Sequence, residues 1–365
     1  MRAHATGGWL VALLLLPSLA QAAPGPVIPV AAWSLDLDLA DAAGVATNLA
    51  GDTFVAANAG GNLLVWSADA LGQPAWVARV PGLVATGIAA TLDGGAVVSA
   101  YGWGDGPDAH VLGVSREGEV AWDRSLGVPG PDYAWGIAAD ARSIVVAGSA
   151  GNDAFAAALD ASGTLAWTRH VAVQPEQRFT SVAMLPGGSA VLAGWTYDGV
   201  RNRALFARLS GEGAIAWQGL VAVPDASLRA NSVAATPDGQ PVVAGVEADG
   251  ARILPWVARL DGAGKVVWQR TYGTAAGIAL TSIAADPLGG AALAGTSPSP
   301  LGSAQRFLAR MGSDGTLAWS QRADGADPGT TMSVALHPGG ALTASWTSSG
   351  YLVAARWLDI AARPR

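Results

Sequence analysis

The sequence predicts an all-β chain folded as a seven-bladed β-propeller with four antiparallel strands per blade, and three observations predict it. Tryptophan recurs at Trp33, Trp76, Trp122, Trp167, Trp217, Trp268 and Trp319, at separations of 43, 46, 45, 50, 51 and 51 residues. Between these positions lies a second recurrent element, in which a small apolar run meets a Pro, Asp or Gly turn and then a β-branched run, as in "MLPGGSAVLAG" from Met184 and "ATPDGQPVVAG" from Ala235. The two series are out of step, because the chain opens on a tryptophan strand around Trp33 that no such hairpin precedes. A period of this size marks a stacked or circular array.

The first 22 residues read as a secretory signal: Arg2, the apolar run "WLVALLLLPSLA" from Trp9, and Ala20, Gln21, Ala22 as a small-x-small cleavage site. The run is shorter than the ~20 residues a membrane span needs, so no membrane span is expected in the mature chain, residues 23–365, which reads as one propeller domain that is secreted or periplasmic. Next comes the strand around Trp33, and after it seven hairpins centred near residues 45, 88, 137, 182, 233, 283 and 334. One complete unit reads as strand A ("SVAAT" from Ser232), a tight turn, strand B ("PVVAG" from Pro241), a variable loop, strand C ("PWVARL" from Pro255), the turn "DGAG" and strand D ("KVVWQR" from Lys265). The C–D turn sets a Gly four residues before each Trp from Trp76 to Trp319. Its Asp can bond to nearby backbone and its Gly supplies the positive φ of a short hairpin. The chain ends on "YLVAARWLDIAARPR", a C strand with no tryptophan strand after it. The N-terminal strand is therefore expected to serve as strand D of the last blade and close the ring, leaving no edge unpaired. The seven D-strand tryptophans are expected to pack between neighbouring blades as structural residues.

The units resemble those of secreted bacterial β-propeller repeat proteins, whose pattern is approximately LVKLDSDGNVLWQKTYGG followed by SIxxTxDGGYIVAGxT. "WVARLDGAGKVVWQRTYG", Trp256 to Gly273, and "TSIAADPLGGAALAGTS", Thr281 to Ser297, carry the resemblance. It implies the fold and little about activity. "ALDASGTLAW" from Ala158 is similar to the docking motif of quinoprotein dehydrogenases but one residue shorter between Asp and Gly. With seven blades and no Cys, no cofactor is expected. "SDGTLAW" from Ser313 departs from the sialidase Asp-box at both intervals.

Composition bounds the partners. Apolar residues make up 51% and charged residues 13% of the chain, the formal charge is −7, and basic residues form no run. Nucleic acid is therefore not an expected partner. Zero Cys excludes disulfides and thiolate chemistry. His110, His170 and His337 stand at no ligand or triad spacing, so no metal and no catalytic residue is assigned. Function is expected in the B–C and D–A loops, which vary where the A–B and C–D turns are short and repeated and leave the opposite face little room for a site. Aligning the ends of strand B places Tyr101, Trp195 and Trp346 at one position, with Trp103 and Trp135 close by. These five aromatics are the candidate ligand-binding residues, with Tyr101, Trp195 and Trp346 expected to be partly exposed on one rim, where rings can stack on a sugar or anchor a peptide. The reading is an exported binding or scaffold module for an extracellular or periplasmic glycan or protein. The alternative is an exported carbohydrate-active hydrolase or lyase using loop carboxylates among Asp105, Asp108, Asp132, Glu176 and Asp198.

Overall fold

The computed structural model describes residues 27–31 and 40–359, apart from 105, 128–130, 172–175, 251, 274–276, 299–303, 327–331, 338–340 and 349–350. Twenty-eight strands form seven separate four-stranded antiparallel sheets, with no helix among the described residues. Blades 1 to 6 run in chain order A-B-C-D, beginning at Ala40, Leu83, Asp132, Glu176, Ser227 and Ala279. Blade 7 takes its strands A to C from Ser333–Leu336, Leu342–Ser348 and Tyr351–Asp359, and its strand D from Val27–Ala31, which pairs antiparallel with the last strand (Ile28 opposite Leu358). The ring is closed by the N-terminal strand, as the offset between hairpins and tryptophans predicts. Trp33 itself lies outside the described residues. Blade 7 is also tied to blade 1 by side chains: the Ala42 amide donates to Thr347 Oγ1 at 3.0 Å, and Arg356 Nη1 donates to the Ala70 carbonyl at 2.6 Å.

The inner seam between blades follows from small residues. Each of the first six A strands carries a bulge, and immediately after it Gly44, Gly87, Gly136, Ser181, Ser232 and Ser282 occupy one equivalent position. A methyl group on Gly136 would stand 2.8 Å from Ser181 Cα, so a side chain there would push two blades apart. Where serine replaces glycine its hydroxyl bonds onward: Ser181, Ser232 and Ser282 Oγ accept the Val233, Ile283 and Val334 amides at 3.1, 3.2 and 3.1 Å.

The outer seam explains the recurrent Gly and Trp. Each of five described D-strand indoles lies on the C–D turn glycine of the next blade: Trp76 on Gly118, Trp122 on Gly163, Trp167 on Gly213, Trp217 on Gly264 and Trp268 on Gly315. The Nε1 of Trp76, Trp167, Trp217 and Trp268 donates to a carbonyl of that same turn, at 2.8, 2.8, 3.0 and 3.2 Å. Two residues on, Arg124, Arg169 and Arg270 donate to carbonyls of the same turns. These tryptophans are half-buried rather than core, Trp319 alone being buried among the described ones, because strand D is the solvent-facing outer strand of each blade. Trp→Ala there should therefore cost ~2 kcal/mol, below the 3–5 of a fully buried ring.

Two outcomes test these seams. Gly213 has φ +77° and a Cβ on it would meet Trp167 at 2.6 Å, so Gly213→Ala should lower stability by ~2–3 kcal/mol; in a Trp167→Ala background only the ~1 kcal/mol backbone strain should remain. A double-mutant cycle by denaturant unfolding measures that coupling. Removing residues 27–31 should lower the melting temperature of the whole ring in a single transition, whereas loss of amide protection confined to blade 7 would show that closure is not required for the rest.

Candidate functional site

In each blade strand A begins, strand B ends and strand C begins at one end, so these positions together form one rim of the ring. The predicted equivalence of strand B positions holds in register: Tyr101 lies opposite Val84 and Ala109, and Trp195 opposite Arg178 and Ala204, while Trp346 lies opposite Val353. The structure brings three of the five predicted aromatics, Tyr101, Trp103 and Trp135, into one band. Tyr101 meets Trp103 edge-on at 5.7 Å between centroids and Trp135 at 6.3 Å. Tyr133 of blade 3 completes the group, 5.1 Å from Tyr101 and stacked on Trp135 at 5.0 Å and 13°. Trp135 Nε1 donates to Ser149 Oγ at 3.1 Å, which fixes the indole plane. Trp103 is 67% exposed, and Tyr101, Tyr133 and Trp135 are half-buried.

Trp195 and Trp346 do not behave as the part-exposed rim rings the sequence suggests. They are 8% and 3% exposed, because arginines lie over them. The Arg178 and Arg229 guanidinium carbons stand 4.4 and 4.6 Å from the Trp195 centroid, and that of Arg306 stands 4.4 Å from the Trp346 centroid. Arg178 also lies 5.9 Å from the Trp135 centroid and so links Trp195 to the aromatic band, whereas Trp346 sits apart at the seam of blades 6 and 7. Tyr133, Arg178 and Arg229 are the rim residues that reading strand B alone misses. They occupy the equivalent opening position of strand A in blades 3, 4 and 5, opposite Ser149, Trp195 and Val246, so aligning strand A as well would have found them.

The loop carboxylates separate by environment. Asp198 holds a turn, accepting the Val200 and Arg201 amides at 2.9 and 2.8 Å and Arg203 Nε at 2.8 Å, and those bonds hold its carboxyl down to about 2. Glu176 pairs with Arg178 at 3.3 Å. Asp132, at the start of strand A in blade 3, is 1% exposed and its Oδ1 has no hydrogen-bond partner; burial, with the nearby Asp108 carboxylate, pushes it up to about 6. Asp105 lies outside the described residues. The histidines occupy three separate places: His110 pairs with Asp123 at 2.9 Å in blade 2, His170 is exposed on strand D of blade 3, and His337 is buried in the A–B turn of blade 7. Among the described residues no group of three or more His, Asp or Glu side chains could hold a metal ion.

The opposite mouth of the ring is less closed than the short turns suggest. Because those turns do not reach across the channel, they leave a cavity of about 630 Å³ lined by residues such as Leu49, Leu185, Pro186, Pro237, Asp286 and His337. Asp286 there accepts the Leu288 amide and Arg310, and one His337 ring nitrogen lies 2.7 Å from Thr343 Oγ1 while its Nδ1 is buried without a hydrogen-bond partner. Burial, and after it Arg356, pushes His337 down to about 4.

No protein-family model and no curated protein matches the sequence. Solved structures do. The chain is similar to a catalytically inactive virginiamycin B lyase from Staphylococcus aureus with quinupristin, at 12% identity and TM-score 0.60 over 90% of this chain and 99% of that one. It is also similar to a family PL25 polysaccharide lyase, an ulvan lyase, at 10% identity and TM-score 0.57 over 88% and 95%, and to the Dos1 propeller at 14% and 0.54 over 89% and 85%. At these identities the likeness shows the propeller fold alone.

Two titrations of opposite sign give a pH prediction. His337 is held below its ordinary value of 6.5, so the stability from its neutral form is present above 6.5 and lost as pH falls toward about 4. Asp132 is raised from 3.8, so the stability from its protonated form is present below 3.8 and lost as pH rises through about 6. Asp132→Asn should therefore raise unfolding free energy by ~1–3 kcal/mol at pH 8 and leave it unchanged at pH 3.5. Urea unfolding at the two pH values measures the difference.

Proposed function

We propose that the protein is an exported binding module and that its ligand is a glycan held on the rim where the B–C and D–A loops lie. The observation that carries this reading is the contiguous ring band of Tyr101, Trp103, Tyr133 and Trp135, with Trp103 67% exposed at its outer end. Contiguous aromatic surface, one end wet and one end packed, suits the apolar faces of sugar rings. The rings come from two adjacent blades, so the scaffold holds their spacing rigidly and little ordering entropy is lost on binding.

A second reading is supported by Asp132. A buried carboxyl pushed up to about 6, beside the Asp108 carboxylate, is a proton donor available near neutral pH, and two carboxyls in unlike environments are the groups that glycoside chemistry employs. In that reading the aromatic band would hold the sugar while Asp132 protonates a leaving oxygen.

Glycan-array screening followed by calorimetry decides between them. Trp103→Ala and Tyr101→Ala should each weaken glycan binding about tenfold or more while shifting the melting temperature little, since a rim ring gives up less buried area than a core one. Unchanged affinity in both variants would overturn the rim as the binding face. Release of reducing or unsaturated chain ends by the wild type, abolished in Asp132→Asn, would establish the enzymatic reading instead.

A further inference from the structure

The two arginines over Trp195 belong to adjacent blades and occupy register-equivalent positions at the opening of strand A. With guanidinium carbons 4.4 and 4.6 Å from one indole centroid, each stands in the other's field. A single cation satisfies the attraction of an indole face; a second adds repulsion to it. Burial first, and then the Arg178 charge, hold the Arg229 guanidinium below its ordinary range. One carboxylate opposes the pair, Glu176, whose oxygen is 3.3 Å from Arg178 Nη2. Arg178 Nε is buried and has no hydrogen-bond partner. Asn202 orients Arg229, its amide oxygen lying 3.2 Å from both Nε and Nη2 when turned toward them. The outcome is an oriented, partly desolvated pair of cations with one counter-charge, paired to Arg178, in a chain whose formal charge is −7.

We propose that Arg178 and Arg229, seated on Trp195, form an anion subsite that takes a carboxylate or sulfate group of an acidic glycan, whose adjoining sugar rings lie on Tyr101, Tyr133 and Trp135. This rests on the rim being a glycan-binding face. An anion between the two forks accepts charge-assisted hydrogen bonds from both and removes their mutual repulsion. The planar, fixed donors of guanidinium match either oxyanion, and the indole beneath keeps the planes in place. Arg178 joins the two parts, because the guanidinium over Trp195 is also 5.9 Å from the Trp135 centroid. Recognition would thus run from blade 2 to blade 5, rings first and charge last.

The test uses the full mature chain and titrates it calorimetrically with oligogalacturonate, sulfated carrageenan oligosaccharide, neutral maltotetraose and cellotetraose, and poly-L-glutamate. The acidic oligosaccharides should bind at least about tenfold more tightly than the neutral ones, and Arg229→Gln should remove about tenfold of that advantage. Arg229 is only partly covered, so this variant should fold, and a melting curve checks it; Arg229→Lys should recover part of the loss. Raising the salt concentration should weaken wild type more than Arg229→Gln. Equal affinity for neutral and acidic oligosaccharides, unchanged in Arg229→Gln, would overturn the anion subsite and leave the aromatic rim standing. Binding of poly-L-glutamate as tight as that of oligogalacturonate would overturn the assignment to glycans. Absence of binding to all oligosaccharides would overturn both proposals.

Discussion

Seven separate sheets form this ring, and among the described residues no strand ladder crosses from one to the next, although the Gln177 amide of blade 4 donates to the Asn152 carbonyl of blade 3 at 2.8 Å. Cohesion between blades therefore falls mainly to side chains, at two radii. Near the channel, glycine or serine after the strand A bulge allows neighbouring strands to approach, and each serine adds a bond to the next blade. At the outer edge an indole from one blade lies on the positive-φ glycine of the next blade's turn. The glycine answers two requirements at once. Its φ closes the hairpin, and its missing Cβ leaves the surface on which the indole lies. The recurrence of Gly and Trp in one turn is thus the repeat of a contact made between units, since the indole that uses a given glycine comes from the unit before.

Much of this was legible because a propeller writes its architecture at fixed intervals. Blade number, strand order and ring closure follow from counting two periodic features and noticing their offset. The degree of burial did not follow. A tryptophan at a repeat position reads as core, yet Trp167 or Trp217 sits on an outer strand with water on one side, and only the radial position of strand D explains that. The reverse error attaches to Trp195 and Trp346. Their place at the end of strand B suggests exposure, and the covering arginines come from other strands: Arg178 and Arg229 from two inner strands, Arg306 from strand C of blade 6.

The candidate site was legible only in part for the same reason. Tyr101, Trp103 and Trp135 could be picked out by residue type, and their contacts with one another hold in the fold. Tyr133, Arg178 and Arg229 depart from their blade-mates only when the first residues of strand A are compared blade by blade. A blade seam joins residues far apart in sequence. Arg229 and Trp195 belong to different units, so no motif within one unit contains the pair.

Composition at these seams separates scaffold from function. Where adjacent blades meet through Gly, Ser and small apolar residues, the contact is repeated around the ring and its demands are steric. Along the rim of blades 2 to 5 each blade holds a Tyr, Trp or Arg at the opening of strand A or the end of strand B, and blade 7 adds Trp346 at the same strand B position. Packing does not require a large ring at the strand B position, since Ser149 and Thr296 fill it in blades 3 and 6. A ligand spanning blades 2 to 5 would contact four blades at once, and its affinity would depend on their relative angles. The side-chain seams that hold the closed ring would then set the spacing of the binding surface, and a loosened seam near blade 3 or 4 should be felt at the rim before the fold is lost.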